Sequence, residues 1–251
     1  MESVYLTYVG IDVQAAHKPF YYTALDSDME IIASGHGRMT DILAYLAGQS
    51  SALVAINGPV WAPQPENMFS QSGLFGGEQS TVFGSHRIVD VELSVRGYPI
   101  IPVPPVGKKA PVWMERSLEL ASEMKRLGYL CSGELPAKRT YFETNMDAAY
   151  HLITGTSPYD SRSLEGRLQR QLLLHEFGFT LQDPMEFLEE FTRYRLRTSN
   201  VPLTQIAVAH ELRALMTAAT AWMVDNRPKN LEHLGRGSEG EIILPKEFSR
   251  K

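Results

Sequence analysis

VYLTYVGIDVQAAHKPFYYTALDSDMEIIASGHGRMTDILAYLAGQSSALVAIN, residues 4–57, is the stretch that decides the fold. Residues 4–13 (VYLTYVGIDV) alternate and then become continuously apolar, the pattern of a central strand that ends at Asp12. Residues 21–26 (YYTALD) form a second strand, the Asp26-Ser27-Asp28 cluster a turn, and residues 30–34 (EIIAS) a third strand. Strands joined this tightly form a hairpin and pair antiparallel. Thr40 and Asp41 then cap a helix over 42–46, which Gly48 stops. Residues 51–57 (SALVAIN) make a buried type of strand, and a strand reached through a helix pairs parallel. The order is therefore β-β-β-α-β, antiparallel first and parallel after.

The rest of the chain is read outward from that core. Residues 58–86 are rich in Gly, Pro, Ser and Gln without a period and predict a long loop or lid; Gly73-Leu74-Phe75-Gly76-Gly77 within it lacks the strand-loop-helix context of a nucleotide site. Helical spacing covers 87–96 and 111–127, with a short strand expected over 98–103 and another over 139–143. Further helices are expected over 147–153, 163–177, 184–196 and 202–224, with Pro184 and Pro202 in first-turn positions, and a last short strand over 241–244. This organisation predicts one domain: a core of 1–60 and 87–153, an insertion at 58–86, a helical elaboration over 160–226 and a tail from 227.

Composition bounds the function. Lys and Arg number 24 against 29 Asp and Glu, a net charge of −5, which argues against strong non-specific DNA binding by the whole surface and leaves room for a local basic groove. No run of 18 apolar residues occurs, and the N-terminal residues lack the basic and apolar regions of a signal peptide. Cys131 is the single cysteine, which excludes an intramolecular disulfide and a thiolate zinc cluster. The expectation is a cytoplasmic protein in which Cys131 is a buried, inert thiol.

Asp12 is the first candidate site residue, because α/β folds place ligands at strand ends. It reads either as a divalent-metal ligand or as a turn-capping strand end. Phosphodiester chemistry needs several carboxylates converging on Mg²⁺ or Mn²⁺. The neighbouring strand end is Asn57, an uncharged ligand, and Glu143 is a third position that equally suits a helix N-terminus. His210 and Glu211 cannot both face one site, and the pattern favours a solvated pair. HExxH, GxxxxGK[ST] and GxSxG are absent from the sequence. Arg162, Arg167 and Arg170 form a candidate phosphate-contact cluster. Arg193, Arg195 and Arg197 suit a helix C-terminus instead.

Several pieces, in order along nearly the whole chain, carry a resemblance. They are VGIDV at 9–13, LVAINGPV at 53–60, RIVDVELSVRGYPIIP at 87–102, YFETNMDAAYHLITG at 141–155, SLEGRLQRQLLLHEFG at 163–178, RALMTAATAWMV at 213–224 and GSEGEIILP at 237–245. The chain resembles the uncharacterised domain-of-unknown-function family described as predicted nucleases of RNase H fold. The resemblance implies an α/β fold with an RNase H-like mixed five-stranded sheet in β-β-β-α-β-α-β order, flanked by helices and extended by a helical C-terminal elaboration. It implies a metal-dependent hydrolase using Mg²⁺ or Mn²⁺, with Asp12 and Glu143 as catalytic metal ligands and Asn57 beside them. It also implies an Arg87–Asp90 pair and a Gly166, Arg167, Arg170 element, with Arg87, Arg167 and Arg170 as phosphate or substrate contacts. Two acids of the family pattern are replaced, one by Asn57 and one by Arg213. An inward-pointing Arg213 would substitute for a metal, since like charges at ~4 Å and an effective dielectric near 20 repel by roughly 4 kcal/mol.

Two functional expectations follow: a metal-dependent phosphodiesterase, or a catalytically inactive relative that binds nucleic acid or a protein partner. A kinase-like nucleotide binder ranks behind both, because it needs two such domains and Gly-rich phosphate loops. No membrane partner is expected. The Asn57-Gly58 step is also one whose flexibility invites deamidation.

Overall fold

The structure, a computed structural model, describes residues 5–15, 17–62, 86–98, 100–104, 108–132, 137–236 and 240–246. Most of the expected 58–86 loop, including Gly73 to Gly77, lies outside these residues.

The opening segment folds in the expected order of elements, but its helix begins at Met39 with Arg38 at the N-cap, so that Thr40 and Asp41 lie in the first turn instead of capping it. Strands β1 (Thr7–Asp12), β2 (Phe20–Leu25) and β3 (Ile31–Gly37) pair antiparallel. Helix α1 (Met39–Ala47) then leads to β4 (Ala52–Asn57), which pairs parallel with β1 and places Asn57 beside Asp12. Asp41 sits in the first turn of α1, where its carboxylate accepts the Arg38 backbone N–H at 2.8 Å and relieves an orphan donor.

Helices α2 (Ile88–Val95) and α3 (Val112–Arg126) follow, then the two-residue β5 (Leu130–Cys131) and β6 (Arg139–Thr144), parallel to β4. Helices α4 (Met146–Thr154), α5 (Leu164–Phe177), α6 (Pro184–Glu189), α7 (Arg193–Arg197) and α8 (Ala209–Asn226) precede a closing hairpin of β7 (Leu231–Arg236) and β8 (Gly240–Pro245). The sheet runs β3-β2-β1-β4-β6-β8-β7, with β5 also on β6.

Two apolar layers cover the sheet. Val9, Ile11, Val54, Ile56 and Tyr141 face α1 and α3 on one side, while Tyr8, Leu53, Ala55 and Phe142 face α4, α5 and α8 on the other. Alternation along each strand sorts these residues. Helix α8 lies directly on β1. A Cβ added to Gly10 would stand 2.1 Å from the Ala218 backbone nitrogen and 2.3 Å from the Ala214 carbonyl oxygen, so only glycine fits there.

Several expectations are corrected. The sheet has eight strands among the described residues, not five. The region from 227 is not a tail: β8 docks on β6 and β7 extends the sheet. The last helix is not an elaboration, because its buried face caps the central strands. It also starts late, at Ala209, after a separate 3₁₀ turn at Leu203–Gln205. The expected helix over 184–196 splits in two, since the Thr192 side chain accepts from the Arg195 backbone N–H and so opens a new helix. No strand forms over 98–103 among its described residues, where the Tyr98 N–H bonds to the Leu93 carbonyl and the Val103 N–H to Asp90 instead of to a neighbouring strand.

Candidate functional site at the strand ends

β1, β4 and β6 run parallel and end together. Over their carboxyl ends opens a cleft of about 460 Å³, bordered by Asp12, Asn57, Glu143 and Arg213. The four residues singled out in the sequence thus meet at one cleft, but their side chains are engaged in two different ways.

Asp12 is fully buried and lies at the centre of a polar knot. Its Oδ1 accepts from Asn57 Nδ2 at 2.7 Å. Its Oδ2 accepts from Gln14 Nε2 in a short contact and lies 3.2 Å from His210 Nδ1. Asn57 Oδ1 in turn accepts the Met146 backbone N–H at 3.1 Å, at the first turn of α4. The amide has only one workable orientation: reversed, it would set NH₂ against N–H and oxygen against carboxylate. Asn57 therefore acts as a donor to Asp12, with its oxygen spent on a helix N-terminus.

Glu143 leaves the sheet on the other side. Register pairs Asp12 with Asn57 and Asn57 with Thr144, while Ile56 pairs with Glu143. Side chains alternate along a strand, so Glu143 shares a face with Ile56, opposite that of Asp12. There it receives Arg87 in a fork at 2.7 and 2.9 Å and the Val60 backbone N–H at 2.9 Å. Arg87 binds Asp90 in a second fork at 2.7 and 3.0 Å, and its remaining N–H reaches the Trp61 carbonyl at 3.3 Å. All five guanidinium donors are thereby used. Asp90 is completed by the Val103 backbone N–H at 2.9 Å. Burial pushes the Glu143 carboxyl up, and Arg87 opposes that push.

Arg213, one turn after His210 on α8, does point inward. Its Nη2 binds both Asp147 oxygens at 3.2 Å and Ser161 Oγ at 3.2 Å. Burial works against its charge, and the carboxylates of Asp147 and Asp12 more than offset this, so its pKa is raised. Its Nε is buried and has no hydrogen-bond partner among the described residues. His210 is the member of the 210–211 pair that faces the site, against the expectation of a solvated pair; Glu211 turns back to the Val208 N–H at the start of α8.

The other arginines are spent on the scaffold. Arg167 donates to the carbonyls of Ala207 and Ile206, tying α5 to the start of α8. Arg170 is 1 % exposed, donates to the Tyr159 and Gly166 carbonyls and lies over the Tyr150 ring at 4.8 Å. Arg162 stands before α5 and pairs with Asp160.

Asp12 and Glu143 do not form a fitting divalent-cation site as they stand. They leave on opposite faces, their oxygens already hold donors, and the Arg87 and Arg213 guanidinium groups border the same cleft. Among the described residues, no group of three or more His, Cys, Asp or Glu side chains is arranged to hold a metal ion. The cleft is also lined by the apolar side chains of Trp113, Met114, Ile100, Ile101 and Val103. Gln14, Asp147, Ser161 and Trp113 were not singled out in the sequence; Gln14, two residues beyond Asp12, carried the one usable signal. No helix among the described residues is long and apolar enough to cross a membrane. Compared with known proteins, the chain matches no family model, no curated protein and no solved structure.

Proposed function

We propose that this chain is an RNase H-like protein that binds nucleic acid without metal-dependent cleavage, seating one unpaired base in the strand-end cleft. The strand order, antiparallel for β3, β2 and β1 and parallel onward through β4 and β6, supports the RNase H-like reading. The observation that carries the function is the internal pairing of the acids: Asp12 is held by Asn57, Gln14 and His210, and Glu143 by Arg87 and Val60. The cleft volume lies within the range of small-ligand sites. Its apolar wall, with Trp113, offers a stacking surface for a ring. The partly exposed Arg213 guanidinium and the half-exposed Asp147 carboxylate, which also border the cleft, offer a donor and an acceptor for polar edges.

The test is tryptophan fluorescence during titration with short single-stranded RNA and DNA, alongside a cleavage panel in Mg²⁺ and Mn²⁺. Binding that is lost in Arg213→Leu, with no cleavage in either metal, is the expected result. A second reading, metal-dependent phosphodiester hydrolysis, is favoured by Asp12 and Asp147 bordering one cleft with Asp147 half exposed. Mn²⁺-stimulated cleavage that disappears in Asp12→Ala would establish it and overturn the first.

A further inference from the structure

Half of the exposed large apolar side chains among the described residues, seven of fourteen, fall between residues 185 and 208. A folded domain scatters such residues singly; a concentration of them marks a contact surface. Met185 and Leu188 stand on α6, Phe191 on the turn after it, and Tyr194 and Leu196 on α7, each 40–66 % exposed. The segment is anchored by the buried Phe187, on which Phe191 packs at 5.8 Å.

The charges flanking this surface are sorted by sign. Helix α6 carries exposed Glu186 and Glu189, and α7 carries exposed Arg193 and Arg197. Among the described residues none of these four makes an ion pair; Arg195 alone is used locally, on Glu190. Arg193 and Arg197 are one turn apart on α7 and share a face. An anionic partner such as a nucleic acid or a lipid surface would meet the arginines but also the glutamates. A second copy of the same surface, turned by a two-fold axis, meets each sign with its opposite.

We infer that this surface is a self-complementary dimer interface, in which α6 of one copy lies against α7 of the other. The two-fold sets Glu186 and Glu189 against Arg193 and Arg197 twice over, and closes the apolar side chains between them. A stable interface takes roughly 800 Å² from each partner. The exposed parts of Met185, Leu188, Phe191, Tyr194 and Leu196 contribute its apolar share and the four flanking charges its polar rim. The inference does not depend on what the strand-end cleft binds.

The experiment is sedimentation equilibrium of the full chain at micromolar concentrations, with two charge-reversed variants. The wild type is expected at twice the chain mass. Arg193→Glu/Arg197→Glu and Glu186→Arg/Glu189→Arg are each expected as monomers, because each sets like charges together. Mixed in equal amounts they are expected to regain the doubled mass, which also shows that both are folded. A wild type that stays monomeric, or reversed variants that dimerise alone, would overturn the inference. So would a monomer that binds anionic vesicles or an oligonucleotide through Arg193 and Arg197.

Discussion

Replacing Arg87 with methionine tests whether the strand-end acids are locked or available. Arg87, Asp90 and Glu143 are each 5 % exposed or less. Methionine keeps much of the volume but strips four donors from two buried carboxylates and a fifth from the Trp61 carbonyl. Glu143 would keep one backbone donor, Val60, and Asp90 one, Val103. Breaking a buried ion pair from one side costs about 3–5 kcal/mol, because the remaining charge is desolvated and unpaired. In a chain of this size that lowers Tm by roughly 10 °C. The cost depends on pH with a definite sign. Burial already pushes the Glu143 carboxyl up, and losing Arg87 removes the main opposing influence. The folded variant then holds its proton more tightly than the unfolded chain. Its stability therefore falls as pH rises above the ordinary carboxylate range, so the deficit is smallest in acid and largest near neutrality. Urea unfolding of wild type and Arg87→Met, at pH ~4 and pH ~7, reads both effects. A neutral-pH deficit below ~1 kcal/mol, the size of a surface pair, would refute the reasoning. So would weaker nucleic-acid binding at unchanged stability, which would make Arg87 a phosphate contact instead. Arg87→Lys should rescue little, because an ammonium cannot serve two forks at once.

Gly10→Ala should cost about 3 kcal/mol or prevent folding, since its Cβ meets backbone atoms of α8 that cannot rotate aside; an unaltered Tm would mean that α8 does not sit on β1. Asn57→Asp would put a carboxylate 2.7 Å from Asp12 Oδ1 in place of a donor. The two acids would share a proton, so the variant should be destabilised at neutral pH and recover on acidification, and Mn²⁺ should raise its Tm more than that of the wild type. Deamidation of aged protein at Asn57-Gly58, followed by intact mass, should carry the same acid-reversible loss. His233 pairs with Glu241 at 2.7 Å across the β7–β8 hairpin, and that hydrogen bond raises its pKa above the usual histidine value. The stabilisation it brings is complete below the unfolded-state pKa and is lost as pH rises through the folded one. The difference in Tm between wild type and His233→Gln should therefore be present at pH ~5 and absent at pH ~9; an equal difference at both would refute the pairing.

Local pattern carried the first half of the fold. The apolar runs at 7–12 and 52–57, the DSD turn and the intervening helix settle pairing direction because hairpins and helical crossovers each allow one sense. Asp12 was legible for the same reason, as the acid that ends a central strand. Strand β7 was not legible. LEHLGR is short and bends at Gly235, whose φ is +85°, and it becomes a strand only because β8 offers it a partner. Nor was the fate of the acids. Whether Glu143 leaves on the face of Asp12 depends on whether it pairs with Ile56 or Asn57, a single-residue matter of register set by contacts nearly ninety positions apart. His210 and Arg213 lie about two hundred residues from Asp12, and only the docking of α8 on Gly10 brings them to it. The sequence by itself determined which residues could form strands and which strand end carries a carboxylate, because those properties reside in local period and chemistry. The tertiary structure decided what that carboxylate faces, because register and helix docking are settled by long-range packing and by the need to give every buried polar group a partner.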